Sequence, residues 1–212
     1  MTRYFVTATG TGIGKTFVTA ALAHKTKRAA YKPVISGFTL AEAATSDSGQ
    51  LLAAMNRPVT LENITEISPW RYEAPLAPSM AAKAEGKSLD VGSLINWSHK
   101  IREGFMEGVG GVMVPLQGRQ TVLDWMAAID WPVILVTGSY LGSLSHTLTA
   151  ISVMKARNIM LHAVVISESL VDSVGLEATR QALTDFITKP THLITLARSQ
   201  SWQHPNMDMA WI

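Results

Sequence analysis

Residues 8–16 read Ala8-Thr9-Gly10-Thr11-Gly12-Ile13-Gly14-Lys15-Thr16. Just before them, residues 3–7 hold the good strand formers Tyr4, Phe5 and Val6. Just after them, residues 17–28 form an Ala-rich run that predicts a helix. A strand, a glycine-rich turn, Gly-Lys-Thr and a helix are the context in which such a string cradles phosphate. Glycines permit a tight turn whose N–H groups point inward, and the helix start adds further unpaired N–H groups and a partial positive charge. Lys15 supplies a mobile cation, and the Thr16 hydroxyl can ligate Mg²⁺. Gly10, Thr11, Gly12, Ile13, Gly14, Lys15 and Thr16 are therefore the expected nucleotide-binding set. The common pattern has Gly five residues before Gly14, where this chain has Thr9.

Working outward, 212 residues accommodate one sizeable domain. Apolar residues are 47% and charged residues 16%, a balance that implies extensive burial, including burial at a subunit interface. No apolar run approaches the length of a membrane span, and the N-terminus lacks a signal-like pattern, so a cytoplasmic location is expected. There is no cysteine, which excludes disulfides and thiolate metal sites. A formal charge of +2 without a Lys/Arg cluster gives no case for nucleic acid.

Along the chain, a second strand is predicted over 30–34, with Lys32 inside it. A buried lysine needs an anionic ligand, a carboxylate partner or a route to solvent. Residues 38–45 read as loop, and 50–55 as a short helix that Asp47 either caps or precedes as a metal ligand. Residues 58–70 are poorly patterned. Residues 68–78, rich in proline and aromatics, predict a structured loop lining a site or a surface. Helices are expected over 80–85 and 91–103. Glu107-Gly108-Val109-Gly110-Gly111 follows a weak strand signal at 102–106, yet a carboxylate at a strand's carboxyl end can reach a phosphate-bound metal. A helix over 121–129 precedes a strongly apolar strand over 132–137. Residues 138–146 lead into a helix ending near 157, with His146 read as a cap or packing residue. A strand over 161–166, a helix over 172–187 and a strand over 191–196 complete the pattern. From about 198 onward the tail is either loosely docked or an interface element. Five or six apolar strands interleaved with helices predict an α/β fold: a mostly parallel sheet covered on both faces, in three layers.

Taken together, the phosphate loop, Tyr31-Lys32-Pro33-Val34-Ile35-Ser36-Gly37, Asp47, Glu107-Gly108-Val109-Gly110-Gly111 with Pro115-Leu116, and Pro132 to Val136 through Gly142 and His146 resemble the dethiobiotin synthetase family of P-loop proteins. The resemblance runs from residue 3 to about 166. It implies a homodimeric ligase that joins 7,8-diaminopelargonic acid and CO₂ with ATP and Mg²⁺, giving dethiobiotin, ADP and phosphate in biotin biosynthesis. One amine captures CO₂ as a carbamate, the carbamate is phosphorylated, and the second amine closes the ring. The resemblance assigns Lys15 and Lys32 to catalysis, and Thr16, Asp47 and Glu107 to Mg²⁺. It adds Glu107, Gly110 and Ser167 to the nucleotide contacts. Thr11, Lys32 and Ser36 fall near the reacting end of the substrate. Gly142, Ser143, Leu144 and Ser145 of the other subunit receive its carboxylate tail. No protein nucleophile is required, because the amine belongs to the substrate.

Four departures accompany the resemblance. Ala8 stands where the family usually has Gly, and Gly12 where it often has Glu. Ser167 replaces a purine-recognising Asn, which predicts weaker discrimination for adenine. The segment before Glu107 is short, and the chain after residue 196 does not follow the usual pattern. A related P-loop ATPase of another pathway is the competing enzyme reading, and a degenerate nucleotide-binding interaction protein the non-enzymatic one. Lys15→Ala and Lys32→Ala are each expected to cut turnover by orders of magnitude with the fold intact.

Overall fold

The computed structural model describes residues 2–171, 174–199 and 201–212. The chain runs β1 (Arg3–Ala8), α1 (Lys15–Thr26), β2 (Ala30–Tyr31), β3 (Val34–Ser36), α2 (Asp47–Ala54), α3 (Leu61–Ile67), β4 (Trp70–Tyr72), α4 (Pro78–Ala84) and α5 (Val91–His99). It continues through β5 (Gly104–Glu107), β6 (Pro115–Gln117), β7 (Gln120–Thr121), α6 (Val122–Ile129), β8 (Val133–Gly138), α7 (Ser143–Ala156), β9 (Leu161–Ser167), α8 (Leu176–Thr184) and β10 (His192–Leu196).

Among the described residues, six strands form a parallel sheet in the order β10-β9-β8-β1-β5-β2. Strand side chains alternate between the two faces, and both faces are apolar, as expected of a sheet covered on both sides. Tyr4, Val6, Ala8, Ile134, Val136, Ala163 and Val165 face the core built with α1, α2, α3 and the C-terminal tail. Phe5, Val133, Leu135 and Val164 face the opposite core, built with α4, α5, α6 and α7. Trp125 anchors that second core: it meets Phe5 edge-on at 4.7 Å, and its buried indole N–H donates to Ser98 Oγ at 3.0 Å. The expected three-layer α/β fold is the observed one.

Three boundaries differ from the sequence reading in ways that matter. The strand expected over 30–34 is two strands. Pro33 cannot donate to a ladder, so the chain leaves the main sheet after β2 and pairs as β3 with β4 in a separate two-stranded sheet. The weakly signalled strand before Glu107 is β5, buried at every residue and lying between β1 and β2. Its first residue, Gly104, has φ 113°, and a Cβ there would sit 2.2 Å from the Ala29 carbonyl. That close approach starts a central strand whose apolar pattern is only two residues long. The helix expected over 172–187 is observed as α8; its expected start, Asp172, lies outside the described residues.

The stretch 58–70, poorly patterned in sequence, contains α3, and the expected loop over 68–78 holds the short strand β4. α3 is capped by the Thr60 side chain, which accepts from Asn63 N. The tail is docked: Trp211 is buried in the first core with Trp202, Met207, Met209 and Ile212 packed against it. No described helix is long and apolar enough to cross a membrane.

Candidate active site

The site lies at the carboxyl ends of β1, β5 and β2, where an α/β sheet leaves its crevice. β1 delivers the glycine-rich turn, which passes into α1 through Gly14. Gly14 sits at φ 94°, a left-handed conformation that a side chain resists, and a Cβ there would lie 2.8 Å from Ser167 Oγ. No side chain caps α1, and its first turn holds no acid. Its leading N–H groups and positive end are therefore left for an anion.

Three further side chains converge in front of this helix start. Lys32 Nζ donates to Glu107 Oε1 at 2.7 Å and to the Gly108 carbonyl at 3.1 Å, and it contacts Asp47 Oδ2 at 2.8 Å. The Thr16 hydroxyl donates to the same Glu107 Oε1 at 2.8 Å. Lys32 and Glu107 are buried, whereas Asp47 is 38% exposed toward the cleft. Each position has a local cause. Glu107 ends β5, Lys32 follows β2 where the chain leaves the sheet, and Asp47 opens α2 while Ser46 provides the cap. Ser46 rather than Asp47 caps the helix, and the Asp47 carboxylate is turned to Lys32.

Burial disfavours the Lys32 ammonium, but the charges of Glu107 and Asp47 outweigh it and hold the pKa above the ordinary lysine value. Burial likewise works against the Asp47 carboxylate, and Lys32 overcomes it, leaving its pKa below the usual carboxylate range. Lys15 is different. Burial, then repulsion from Lys32, pushes its pKa down to about 8 despite the two carboxylates. Among the described residues, its ammonium donates to a loop carbonyl, Gly10 O, at 3.3 Å.

A cleft of about 570 Å³ opens onto these groups and is lined by Thr11, Gly12, Gly14, Lys15, Thr16, Lys32, Ser36, Asp47, Glu107 and Gly110, among others. Ser36 Oγ and Glu107 Oε2 are buried there without a hydrogen-bond partner among the described residues. A second groove, also about 570 Å³, shares Thr11, Gly12 and Gly14 with the first and continues past Gly10, Ile13 and Ser167 to the end of β10. The two grooves meet at the glycine-rich turn. A slightly larger hollow, about 630 Å³, lies by Phe38, Trp70 and Tyr72 and is lined by none of the glycine-rich turn, so size alone does not identify the site.

Gly142, Ser143, Leu144 and Ser145 do not line the cleft of their own chain. Gly142 and Ser145 are exposed at the start of α7, which no side chain caps. Ser143 is fully buried, and its N–H is already given to the Tyr140 carbonyl, so this residue offers a ligand little. Sequence reasoning did not anticipate the Lys32–Asp47–Glu107 cluster as a self-contained ion network. Nor did it find Glu168, which follows Ser167 in the second groove. The proline-rich loop does line the cleft, through Pro75, Leu76, Ala77 and Pro78.

A family model described as an AAA domain matches residues 2–197. The ATP-dependent dethiobiotin synthetase BioD of Caulobacter sp. (strain K31) is 44% identical over 213 residues, covering 95% of this chain and 90% of that protein. The chain belongs to the dethiobiotin synthetase family. A second member of the family, from Phenylobacterium zucineum, is 45% identical over 180 residues, 80% of this chain and 77% of that protein. In fold alone, the MinC:MinD cell division complex of Aquifex aeolicus is similar, at a TM-score of 0.52 and 10% identity, over 94% of this chain and 82% of that one.

Proposed function

We propose that the chain is an ATP-dependent dethiobiotin synthetase, closing the ureido ring of dethiobiotin from 7,8-diaminopelargonic acid and CO₂ with release of ADP and phosphate. The observation that carries this reading is the convergence of Lys15, Lys32, Thr16, Asp47 and Glu107 on one cleft beside an uncapped helix start. Thr16, Asp47 and Glu107 supply only oxygen donors, and the unpartnered Glu107 Oε2 is a buried acceptor awaiting a cation; this set suits Mg²⁺ with water and phosphate completing its shell. When bound, Mg²⁺ neutralises charge on the phosphate oxygens.

The chain's own groups do the positioning. The α1 N–H groups and Lys15 hold the phosphates, and a triphosphate relieves the strain of a buried lysine by giving it a counter-charge. Lys32 touches Asp47 and Glu107 and lines the same cleft as Ser36, where its ammonium would offset charge developing on a carbamate oxygen. The free Ser36 hydroxyl offers that substrate a hydrogen bond. Both amines belong to one bound molecule, so orientation supplies much of the rate advantage.

A homodimer completes the site in this reading. The cleft-lining Leu76 is 44% exposed and Leu141, next to Gly142, is 82% exposed, which supports burial of both against a second copy. The uncapped start of α7, chiefly Gly142, Leu144 and Ser145, then receives the carboxylate of the partner's substrate. A cytoplasmic location accords with a cysteine-free chain.

The test is phosphate release measured with nucleotide, Mg²⁺, bicarbonate and the diamine, with the diamine omitted as control. Release that needs the diamine, together with a product of dethiobiotin mass, is expected. Release independent of the diamine refutes the reading.

A further inference from the structure

We propose that Thr9, which stands where the common phosphate loop has glycine, is a positioning residue. Through the hydroxyls of Thr137 and Thr147 it ties the glycine-rich turn to the first turn of α7 and holds the turn ready for phosphate. This rests on the nucleotide site proposed above and adds to it three residues that need touch no ligand.

The contacts form one line from the loop across β8 to α7. Thr9 Oγ1 lies 3.3 Å from Thr137 Oγ1, and Thr137 Oγ1 lies 2.7 Å from Thr147 Oγ1. The Thr147 hydroxyl donates to the Ser143 carbonyl, one turn back in α7, at 2.6 Å. Thr137 and Thr147 are fully buried, and Thr137 follows the apolar run Val133 to Val136 of β8. Hydroxyls so placed are costly unless they satisfy one another, so the line holds together as a unit. The backbone of Thr9 is fastened to the same strand: its N–H donates to the Val136 carbonyl at 3.0 Å.

Each hydroxyl carries one proton, and this sets the direction of the line. Thr147 gives its proton to the Ser143 carbonyl, so Thr137 donates to Thr147 and Thr9 donates to Thr137. Thr9 therefore turns only lone pairs toward the groove that it lines with Gly10 to Gly14. Lone pairs repel a phosphate oxygen, so the part of Thr9 is to hold the turn rather than to grip the ligand. Thr9 is not among the described residues with positive φ, so its backbone does not demand the glycine of the common pattern. A threonine fixed at this point removes freedom that a glycine would lose only on binding, which favours phosphate through preorganisation.

The experiment titrates the full chain with ADP by calorimetry and measures kcat and KM for ATP and for the diamine. Wild type is compared with Thr9→Val, Thr137→Val, their double variant, Thr9→Ser, Thr137→Ser and Thr9→Gly. Valine keeps the shape of threonine and removes the hydroxyl, whereas serine keeps the hydroxyl. Thr9→Val and Thr137→Val are each expected to weaken ADP by about three- to tenfold, the size of one neutral hydrogen bond. The double variant is expected to match the single ones rather than multiply their losses, since both break one line. The loss falls on KM for ATP, while kcat and KM for the diamine stay within about twofold of wild type. Both serine variants are expected to bind ADP like wild type. Thr9→Gly, which restores the common loop residue, is expected to bind more weakly than wild type. Wild-type affinity in Thr137→Val or Thr9→Gly, multiplied losses in the double variant, or a serine variant as weak as its valine counterpart overturns the assignment. If Thr137→Val melts far below wild type, the half-buried Thr9 decides by the same ratios, valine against serine. A wild type that binds no ADP overturns the nucleotide site and this inference together, whereas ADP binding without diamine-dependent turnover refutes the synthetase reading alone and leaves the binding ratios to decide this one.

Discussion

Lys32→Met separates the structural from the chemical role of the site. Methionine keeps most of the length of the side chain and removes its charge. Glu107 then stays buried with Oε2 unpartnered and Oε1 held only by the Thr16 hydroxyl. Removing one partner of a buried ion pair costs about 3–5 kcal/mol, because the remaining charge has nowhere to go. For a chain of this size each kcal/mol moves Tm by about 2–4 °C, so Tm falls by about 6–20 °C. The expectation from sequence that a Lys32 substitution leaves the fold intact is therefore revised by the burial of the pair. Thermal melts of wild type, Lys32→Met, Glu107→Gln and the double variant give the coupling directly. The double variant, with both charges gone, should melt above Lys32→Met alone. Mg²⁺ with nucleotide should restore more stability to Lys32→Met than to wild type, since no ammonium then competes for the carboxylates; saturation at a hundred times Kd adds about 2.7 kcal/mol. A Lys32→Met protein that melts within about 2 °C of wild type, or a double variant no better than the single one, refutes the reasoning.

The remaining predictions are more compact. Lys15→Ala should cut kcat/KM by at least about a hundredfold, yet leave Tm of the nucleotide-free protein unchanged or raised, since burial already works against this ammonium; a clear loss of Tm would contradict that. Gly14→Ala should abolish nucleotide binding, because it forces a side chain into φ 94° and against Ser167; calorimetry showing wild-type affinity would count against the cradle. His162 has its pKa lowered by burial and by His192, against the Trp211 carbonyl, which it meets through Nε2 at 3.3 Å. A histidine whose folded pKa is lowered contributes stability that is whole above its unfolded value, about 6.5, and is eroded as pH falls below it. Hydrogen exchange across residues 201–212 should therefore accelerate between pH 7.5 and 5.5 relative to the sheet, and His162→Asn should blunt the change.

The phosphate loop was legible because its function is local: a strand, a turn that demands glycine and a helix start lie within about twenty consecutive residues, and each leaves its own mark in the chain. The buried strands β8 and β9 and the doubly covered sheet were legible for a similar reason, since β-branched runs bounded by turn residues have few other uses. Neither β5 nor the break at Lys32 could be read that way. β5 is central by virtue of its neighbours, not its own two apolar residues, and Pro33 moves the chain from one sheet to another only because β4 waits to pair with β3. The sequence by itself determined that a glycine-rich turn would feed an uncapped helix start at α1, the kind of place that suits an anion. Only the tertiary structure decided that Lys32, Asp47 and Glu107, up to 75 positions apart, share one cleft in front of it and neutralise one another there, because the charges of residues so distant meet only when parallel strands set their carboxyl ends side by side.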